Sequence, residues 1–586
     1  MQWIANINID CENYSLTIIF IVIVMSLIAN ERNHFIMKKG DIYQGTVEYV
    51  DFPNKAYVAV ESDNEDNGKK VIVKNSIPNQ KIEFMINKKK KDKCEGRLIK
   101  VLEKSPLETV EPCEYFGICG GCVYQTMEYE KQVQLKEKQV KDILDKVINN
   151  NYEFQGIISS PISEAYRNKM EYSFGDEIKE GPLALGLHKR NTTYDIVSVN
   201  SCKIVHNDFN IILMTVLDYF KEKNIPYLHK VTHKGYLRHL LVRRATKTEQ
   251  ILVDIVTTTQ LQYDMTELGE ILKKLPLTGK IVGFLHTFND TLADVIKNES
   301  TKIIYGRDYI EEELLGLTFK ISAFSFFQTN SLGAEKLYSK AREYLGVTKD
   351  KIVFDLYSGT GTIAQILAPF AKKVIGVEIV EEAVESAKMN AVLNGLDNCE
   401  FIADDVLKAL DSITDKPDLV VLDPPRDGLH PKALKKIGED FNVSKMIYIS
   451  CKPTSLARDL VELQKYGYEV MQACCVDMFP GTVHIETVCL LSKLHSDQHI
   501  EVELQMDELD LTAAESKATY EEIKDYVLEH TGLKVSSLYI AQVKEKCGII
   551  ERVNYNLPKS ENSRQPKCPP EKEAAIREAL GYFHMI

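Results

Sequence analysis

From residue 38 to about residue 100, apolar and polar positions alternate in short runs. They are Tyr43-Gln44-Gly45-Thr46-Val47, Ala56-Tyr57-Val58-Ala59-Val60, Lys70-Val71-Ile72-Val73 and Gly96-Arg97-Leu98-Ile99-Lys100. Asp, Asn and Gly clusters separate them, and short strands at this spacing predict a small OB-like β-barrel. Residues 126–149 carry Val and Leu at helical spacing among Glu, Lys and Gln, which predicts a helix. From Ile157 to about Ile321 the pattern is mixed, with alternating runs at Leu183–Leu187 and Leu237–Val242, as expected of an α+β domain. Strand-like runs then fall at 351–357, 374–379, 418–423, 445–450, 469–476 and 485–491, with helix-like runs at Glu381–Asn394 and Thr454–Tyr466 between them. Strand–helix alternation of this kind predicts a doubly wound, Rossmann-like α/β sheet. Past residue 494 an acidic stretch (Glu501–Leu511) leads to helical patterns at Tyr520–Leu528, Val535–Lys546 and Glu571–Leu580, a small helical appendage interrupted at Pro558–Pro570. The expected division is an apolar extension (1–36), a barrel (37–103), a central domain (104–325), an α/β domain (326–493) and the appendage (494–586).

Composition narrows this multidomain α/β picture. At 586 residues the chain is too long for one core. A net charge of −13 argues against indiscriminate nucleic-acid binding, because phosphate contacts need Lys and Arg. Positive charge gathers at Lys88–Lys91 and from Arg238 to Arg244, with a solvated surface as the plain alternative for each. Thirteen cysteines in a chain this long do not form a disulfide framework, and a reducing, cytoplasmic compartment is expected. The apolar run Leu16–Ala29 is shorter than the ~20 residues that span a bilayer. Asp10 and Glu12 stand where a signal peptide would carry basic residues, and Met37 resembles a natural start, so the extension is expected to be a mis-chosen start rather than a membrane anchor.

Several short segments carry chemistry. Asp355-Leu356-Tyr357-Ser358-Gly359-Thr360-Gly361 runs from a strand into a glycine turn where a backbone can approach a ligand closely, with Tyr357 at its head. Glu378 ends the next strand, where an acid can accept both ribose hydroxyls. Asp405 stands where an acid could meet adenine, or is a solvated loop acid. Asp423, in Asp423-Pro424-Pro425-Arg426, lies at a strand's carboxyl end, where open-sheet ligands gather. Cys451 follows the strand Met446–Ser450 and begins a turn into a helix, a position that can lower a thiol's pKa; a buried structural cysteine is the alternative. Cys113, Cys119 and Cys122 surround Gly120-Gly121, and Cys202 is the best candidate for a fourth thiolate. Spacing alone leaves iron–sulfur and zinc open.

Taken in order, the cysteine quartet, Asp-Pro-Pro-Arg, Ser450-Cys451-Lys452-Pro453 and His484-Ile485-Glu486 resemble the uracil-C5 RNA methyltransferases that use S-adenosylmethionine, over about residues 38–493. The turn lacks the third glycine of the dinucleotide fingerprint, which fits S-adenosylmethionine better than NAD. The leading barrel is similar to the TRAM domain. With the cysteines, it is similar to the branch of the family acting on 23S ribosomal RNA. The resemblance implies a 4Fe-4S cluster on Cys113, Cys119, Cys122 and Cys202, and methyl transfer through a covalent Cys451–uracil adduct. Glu486 would then take the carbon 5 proton. Gln328, in Phe326-Phe327-Gln328-Thr329-Asn330, matches an element that positions cofactor or base. Thr362 departs from relatives that carry Asn there. The expectation is a monomer with no protein partner and no membrane contact. Its RNA is expected to run from Lys88–Lys91 past Arg238, Arg243 and Arg244 to Cys451. Transfer RNA is the second substrate considered. A non-catalytic RNA-binding ribosome assembly factor is the reading from another class, against which the presence of both Cys451 and Glu486 argues.

Overall fold

A computed structural model describes residues 37–62, 66–90, 93–293, 296–441, 443–493, 520–547 and 568–583. The apolar run Leu16–Ala29 and the acidic stretch Glu501–Leu511 lie outside these residues, as does Lys91. The chain forms two compact units, Met1–Gln498 and His499–Ile586. No described helix is long and apolar enough to cross a membrane.

The barrel consists of β1 (Ile42–Asp51), β2 (Lys55–Glu61), β3 (Lys70–Val73), β4 (Lys81–Lys90) and β5 (Lys93–Glu103), closed in the order β1-β2-β3-β5-β4. Period-two alternation makes it: Ala56, Val58 and Val60 of β2 and Ile82, Phe84 and Ile86 of β4 all point inward. β4 was not among the expected strands, and its last residues are the exposed Lys88, Lys89 and Lys90. The helix Tyr129–Leu144 follows, and then β6 (Glu153–Ile158).

The central sheet holds β7 (Lys169–Asp176), β8 (Leu183–His188), β9 (Ile196–Val197), β10 (Leu237–Arg244), β11 (Gln250–Thr257), β12 (Lys280–Phe288) and β13 (Ser300–Gly306), in the order β13-β12-β11-β10-β7-β8-β9. One face packs on the helix Asn207–Glu222 through Phe209, Leu213, Val216 and Phe220. A hairpin, β14 (Tyr309–Leu314) with β15 (Leu317–Ser322), leads out of it.

The large sheet contains β16 (Ile352–Leu356), β17 (Lys373–Glu378), β18 (Cys399–Ala403), β19 (Leu419–Leu422), β20 (Lys445–Ser450), β21 (Tyr468–Val476) and β22 (Glu486–Lys493). The order is β18-β17-β16-β19-β20-β22-β21-β6, and β22 alone runs against the others. Both faces are covered, so alternate residues enter different cores: Val353 and Ile447 one, Phe354 and Tyr448 the other. The first core also takes in Leu241, Leu252 and Leu285 of the central sheet and Phe319 of the hairpin, joining the two sheets. Two differences from the sequence pattern stand out. β18 is a short edge strand whose mixed burial hides its periodicity. β6, expected in the central domain, pairs in parallel with β21.

The second unit packs the helices Tyr520–Thr531, Ser537–Lys546 and Pro570–Tyr582 around Ile523, Val527, Ile540, Val543, Ile576 and Leu580.

Candidate active site

The strand order reverses between β16 and β19, so their carboxyl ends part and leave a crevice. The turn leaving β16 is unusual backbone. Tyr357 has φ of +69°, a conformation that bulky side chains rarely adopt, and Gly359 and Gly361 are also left-handed. Tyr357 and Ser358 donate their N–H groups to Val377 O at 2.9 and 3.0 Å. A Cβ on Gly361 would stand 2.5 Å from the Phe401 ring, so only glycine lets the turn close on β18. Glu378, at the end of β17, accepts from Gly359 N through one oxygen and from Val380 N through the other, each at 3.0 Å. It braces the turn and, half-buried, keeps lone pairs for a ligand. Asp405 caps the helix Val406–Ser412 by accepting from Leu407 N at 2.9 Å, and also faces the crevice.

A cavity of about 1450 Å³ opens here. Gln328, Tyr357, Glu378, Asp405, Asp423, Cys451 and Glu486 all line it. The two expected catalytic residues and the five expected cofactor contacts are therefore brought to one space. The segment carrying Gln328 is held from two sides: Asn168, just before β7, donates to Gln328 O and Ser331 Oγ at 2.9 Å, and Asn330 donates to Met478 O, just after β21, at 3.0 Å.

Ser450 pairs with Thr487 across the antiparallel β20–β22 ladder, so Cys451 and Glu486 are the next residues on either strand and adjoin. The helix Pro453–Lys465 begins just after Cys451. Its amino end does not make the thiol acidic, which corrects the sequence expectation: Cys451 is pushed up to about 11. Burial is the main cause, followed by the negative charges of Glu486 and Asp423, with Arg426 pulling the other way. Glu486 is 3% exposed, and burial and then Asp423 hold its carboxyl well above the usual range, against Arg426. Burial raises Asp423 to about 7. Asp355 behind it is fully buried; its Oδ2 accepts from Ala364 N at 3.0 Å.

Arg426 and His484, to which the sequence motifs gave no role, also face the cavity, and the guanidinium donates to His484 Nδ1 at 3.0 Å. Only their place in Asp-Pro-Pro-Arg and His-Ile-Glu could have signalled this. A thiol, two carboxyls and a guanidinium at one end of such a cavity can add to an electron-poor double bond and move protons around it.

The expected RNA path past Arg238, Arg243 and Arg244 does not hold, because all three are buried. Arg238 donates to Asn289 O, Thr291 O and Ala293 O at 2.6–2.8 Å. Arg243 donates to Ala323 O at 3.0 Å and to Ser325 O, bracing the segment before Gln328. Arg244 pairs with Asp208 at 3.0 Å. A guanidinium has five donors and satisfies several loop carbonyls at once, a use that a run of charge in sequence cannot distinguish from phosphate binding. The basic residues lining the cavity are instead Arg167, Lys297 and Arg426.

Cys113, Cys119, Cys122 and Cys202 come together on the other side of the loop that precedes Glu486. Burial raises Cys122 to about 12 and Cys202 to about 11, and the charges of Cys119 and Cys113 add to both. Val123 N and Tyr124 N both donate to Gly481 O at 2.9 Å, and Arg190 donates to Cys122 O at 2.6 Å. Among the described residues no group of three or more His, Cys, Asp or Glu is arranged to hold a single metal ion. The donor set is nonetheless all thiol, with Cys119 and Cys122 buried and Cys113 and Cys202 half-buried, the chemistry that thiolate-bound centres use.

The family described as tRNA (Uracil-5-)-methyltransferase matches residues 128–494. A protein of Clostridium acetobutylicum described as an uncharacterized RNA methyltransferase is 47% identical over 458 residues, 78% of this chain and 99% of that protein. One of Caldanaerobacter subterraneus subsp. tengcongensis, described likewise, is 48% identical over 457 residues, 78% of this chain and all of the relative. The crystal structure of Pyrococcus abyssi tRNA (uracil-54, C5)-methyltransferase in complex with S-adenosyl-L-homocysteine superposes with a TM-score of 0.60 at 25% identity. It covers 76% of this chain and 100% of that one. The chain belongs to the S-adenosylmethionine-dependent RNA uracil-5 methyltransferases.

Proposed function

We propose that this enzyme methylates carbon 5 of a uridine in 23S ribosomal RNA through a covalent adduct with Cys451. One observation carries the chemistry: Cys451 and Glu486 adjoin in the same cavity as Glu378, Asp405 and Asp423. The 23S substrate rests on the resemblance of the barrel and the cysteines. Carbon 5 of uracil is a weak nucleophile. The Cys451 sulfur forms a bond to carbon 6, and the double-bond pair moves to carbon 5. S-adenosylmethionine supplies the methyl group, its sulfur keeping the electrons of the broken bond. Glu486 takes the carbon 5 proton, the double bond re-forms and the Cys451 sulfur leaves. Glu378 offers its free lone pairs to ribose hydroxyls, Asp405 meets the adenine, and Tyr357, Gln328 and Asp423 shape the space between cofactor and base. Arg167 and Lys297 are the phosphate contacts at the cavity.

The thiols Cys113, Cys119, Cys122 and Cys202 would hold a 4Fe-4S cluster that ties the segment 113–122 to residue 202. Protein purified without oxygen is expected to be brown and to contain iron and sulfide; colourless protein with stoichiometric zinc overturns this. The barrel of residues 37–103 is assigned to RNA binding, as in the TRAM domain. A transfer-RNA substrate is the second reading, favoured by the name of the matched family and of the Pyrococcus abyssi protein. Incubation with labelled S-adenosylmethionine and either 23S or transfer RNA, followed by mapping of the modified base, separates the two. The Cys451→Ala variant is expected to lose turnover while still binding RNA; retained turnover overturns the covalent route.

A further inference from the structure

We infer that His484 is a positioning residue whose unprotonated Nδ1 holds the Arg426 guanidinium beside Cys451 and Glu486, where its charge supports the thiolate. The inference rests on the reading of Cys451 as nucleophile and adds to it the device that makes the thiol usable.

The geometry begins with Arg426. Its backbone carbonyl accepts from Ser455 Oγ at 2.8 Å, which fixes the residue to the helix that starts after Cys451. Its guanidinium makes no ion pair among the described residues and donates to His484 Nδ1 at 3.0 Å. Guanidinium has no acceptor, so the bond requires a lone pair on Nδ1 and leaves the ring proton on Nε2. A protonated ring would set a cation against a cation. Burial and the charges of Arg426, Lys136 and Arg167 lower His484 to about 4, so the ring stays neutral over the working range.

The ring is itself held. Its backbone N–H donates to Thr482 Oγ1 at 3.2 Å, and Phe479 meets it edge-on with centroids 6.0 Å apart. The loop behind is anchored by the buried Lys136–Asp477 pair at 2.7 Å, and Gly481 N donates to Gln132 Oε1 at 2.7 Å.

The need for such a cation follows from the groups facing Cys451. Glu486 adjoins it across the ladder, and Asp423 lies at the end of the neighbouring strand. Both carboxyls and the burial of the site oppose a thiolate, and Arg426 is the cation that opposes them at both Cys451 and Glu486. Arg426 is exposed, so a guanidinium released by His484 is free to turn away from Cys451, which would remove that support.

The test is the pH profile of Cys451 alkylation by iodoacetamide. It uses the full chain without RNA or methyl donor and is read from the Cys451 peptide by mass spectrometry. His484→Leu removes the acceptor and is expected to move the inflection up by about one pH unit, slowing alkylation roughly tenfold below it. His484→Asn, whose side-chain oxygen can stand in for Nδ1, is expected to restore most of the rate, and Arg426→Gln to reproduce His484→Leu. S-adenosylhomocysteine affinity reports that the cavity is folded, and Arg426→Gln keeps the test open should His484→Leu misfold. An unchanged profile in His484→Leu or Arg426→Gln, or an Asn variant as slow as the Leu variant, overturns the inference. Alkylation needs no turnover, so this failure is distinct from failure of the covalent route, which turnover in Cys451→Ala would show.

Discussion

The loop that leads into Glu486 hangs on one buried ion pair, and its removal gives a sharp test. Lys136 on the helix Tyr129–Leu144 and Asp477 just after β21 have side chains 1% and 0% exposed, with Nζ and Oδ1 2.7 Å apart. The same Nζ donates to Phe479 O at 3.0 Å, so one ammonium holds both the acid and the start of the loop. Lys136→Met fills the space but strands the Asp477 carboxylate without its cation. Breaking a buried pair from one side costs roughly 3–5 kcal/mol, because the remaining charge stays desolvated. For a large domain, at roughly 2 °C per kcal/mol, the first unit's melting temperature falls by about 6–10 °C. The double variant Lys136→Met/Asp477→Leu removes both charges and is expected to recover most of the loss, since an apolar pair of similar volume can replace an ion pair. Differential scanning calorimetry of wild type, both single variants and the double variant makes the comparison. A single-variant loss under about 2 °C, or a double variant no more stable than Lys136→Met, refutes the claim that the pair holds this loop.

Further expectations follow from the same structure. Glu486→Gln is expected to stall after methyl transfer and leave a slow-migrating protein–RNA adduct on a denaturing gel; normal turnover with no such species removes Glu486 from the proton-acceptor role. Asp254 is fully buried, and burial raises its carboxyl to about 7, so ionising it in the core costs stability progressively from about pH 4, where the unfolded chain's carboxyl ionises, to about pH 7. Asp254→Asn keeps an acceptor for Thr287, 2.9 Å away, and its melting temperature is expected to gain on wild type across that window and level off above it; a difference independent of pH contradicts this. Replacing the exposed Lys88, Lys89 and Lys90 with Ser is expected to weaken RNA binding and flatten its salt dependence by up to about one unit of slope for each phosphate no longer neutralised. An unchanged slope assigns the barrel's lysines to solvated surface and leaves Lys297 and Arg167 at the cavity as the next residues to replace.

Local chemistry was legible along the chain where one strand end or one turn suffices to make it. Glu378, Asp423 and Cys451 each end or follow a strand whose apolar run is visible in the sequence, and the sheet places strand ends on one edge. Glycines at 359 and 361 marked the turn because left-handed backbone favours them. Elements with a weak or mixed period were missed. The edge strand β18 has little to bury. β4 was missed for another reason: Ile82, Phe84 and Ile86 alternate cleanly, but the lysine run that ends it reads first as charge.

Charge was the least readable feature. Arg238, Arg243 and Arg244 look in sequence like a phosphate-binding run, yet they hold loop carbonyls and Asp208. Whether an arginine meets water, phosphate or backbone depends on what the fold lays over it. The thiol of Cys451 shows the same limit. Its place before a helix suggested a lowered pKa, but the loss of water and two carboxyls from neighbouring strands raise it.

The sequence by itself determined most of the secondary elements with strong periods and which residue types stand at the strand ends, because period and residue type are local properties. Only the tertiary structure decided that β6 completes the large sheet, that Arg426 meets His484 and that the cysteine loop grips Gly481 beside the strand carrying Glu486. Those pairings join residues tens to hundreds of positions apart, and their energies come from burial and hydrogen bonds that exist only once the chain has packed.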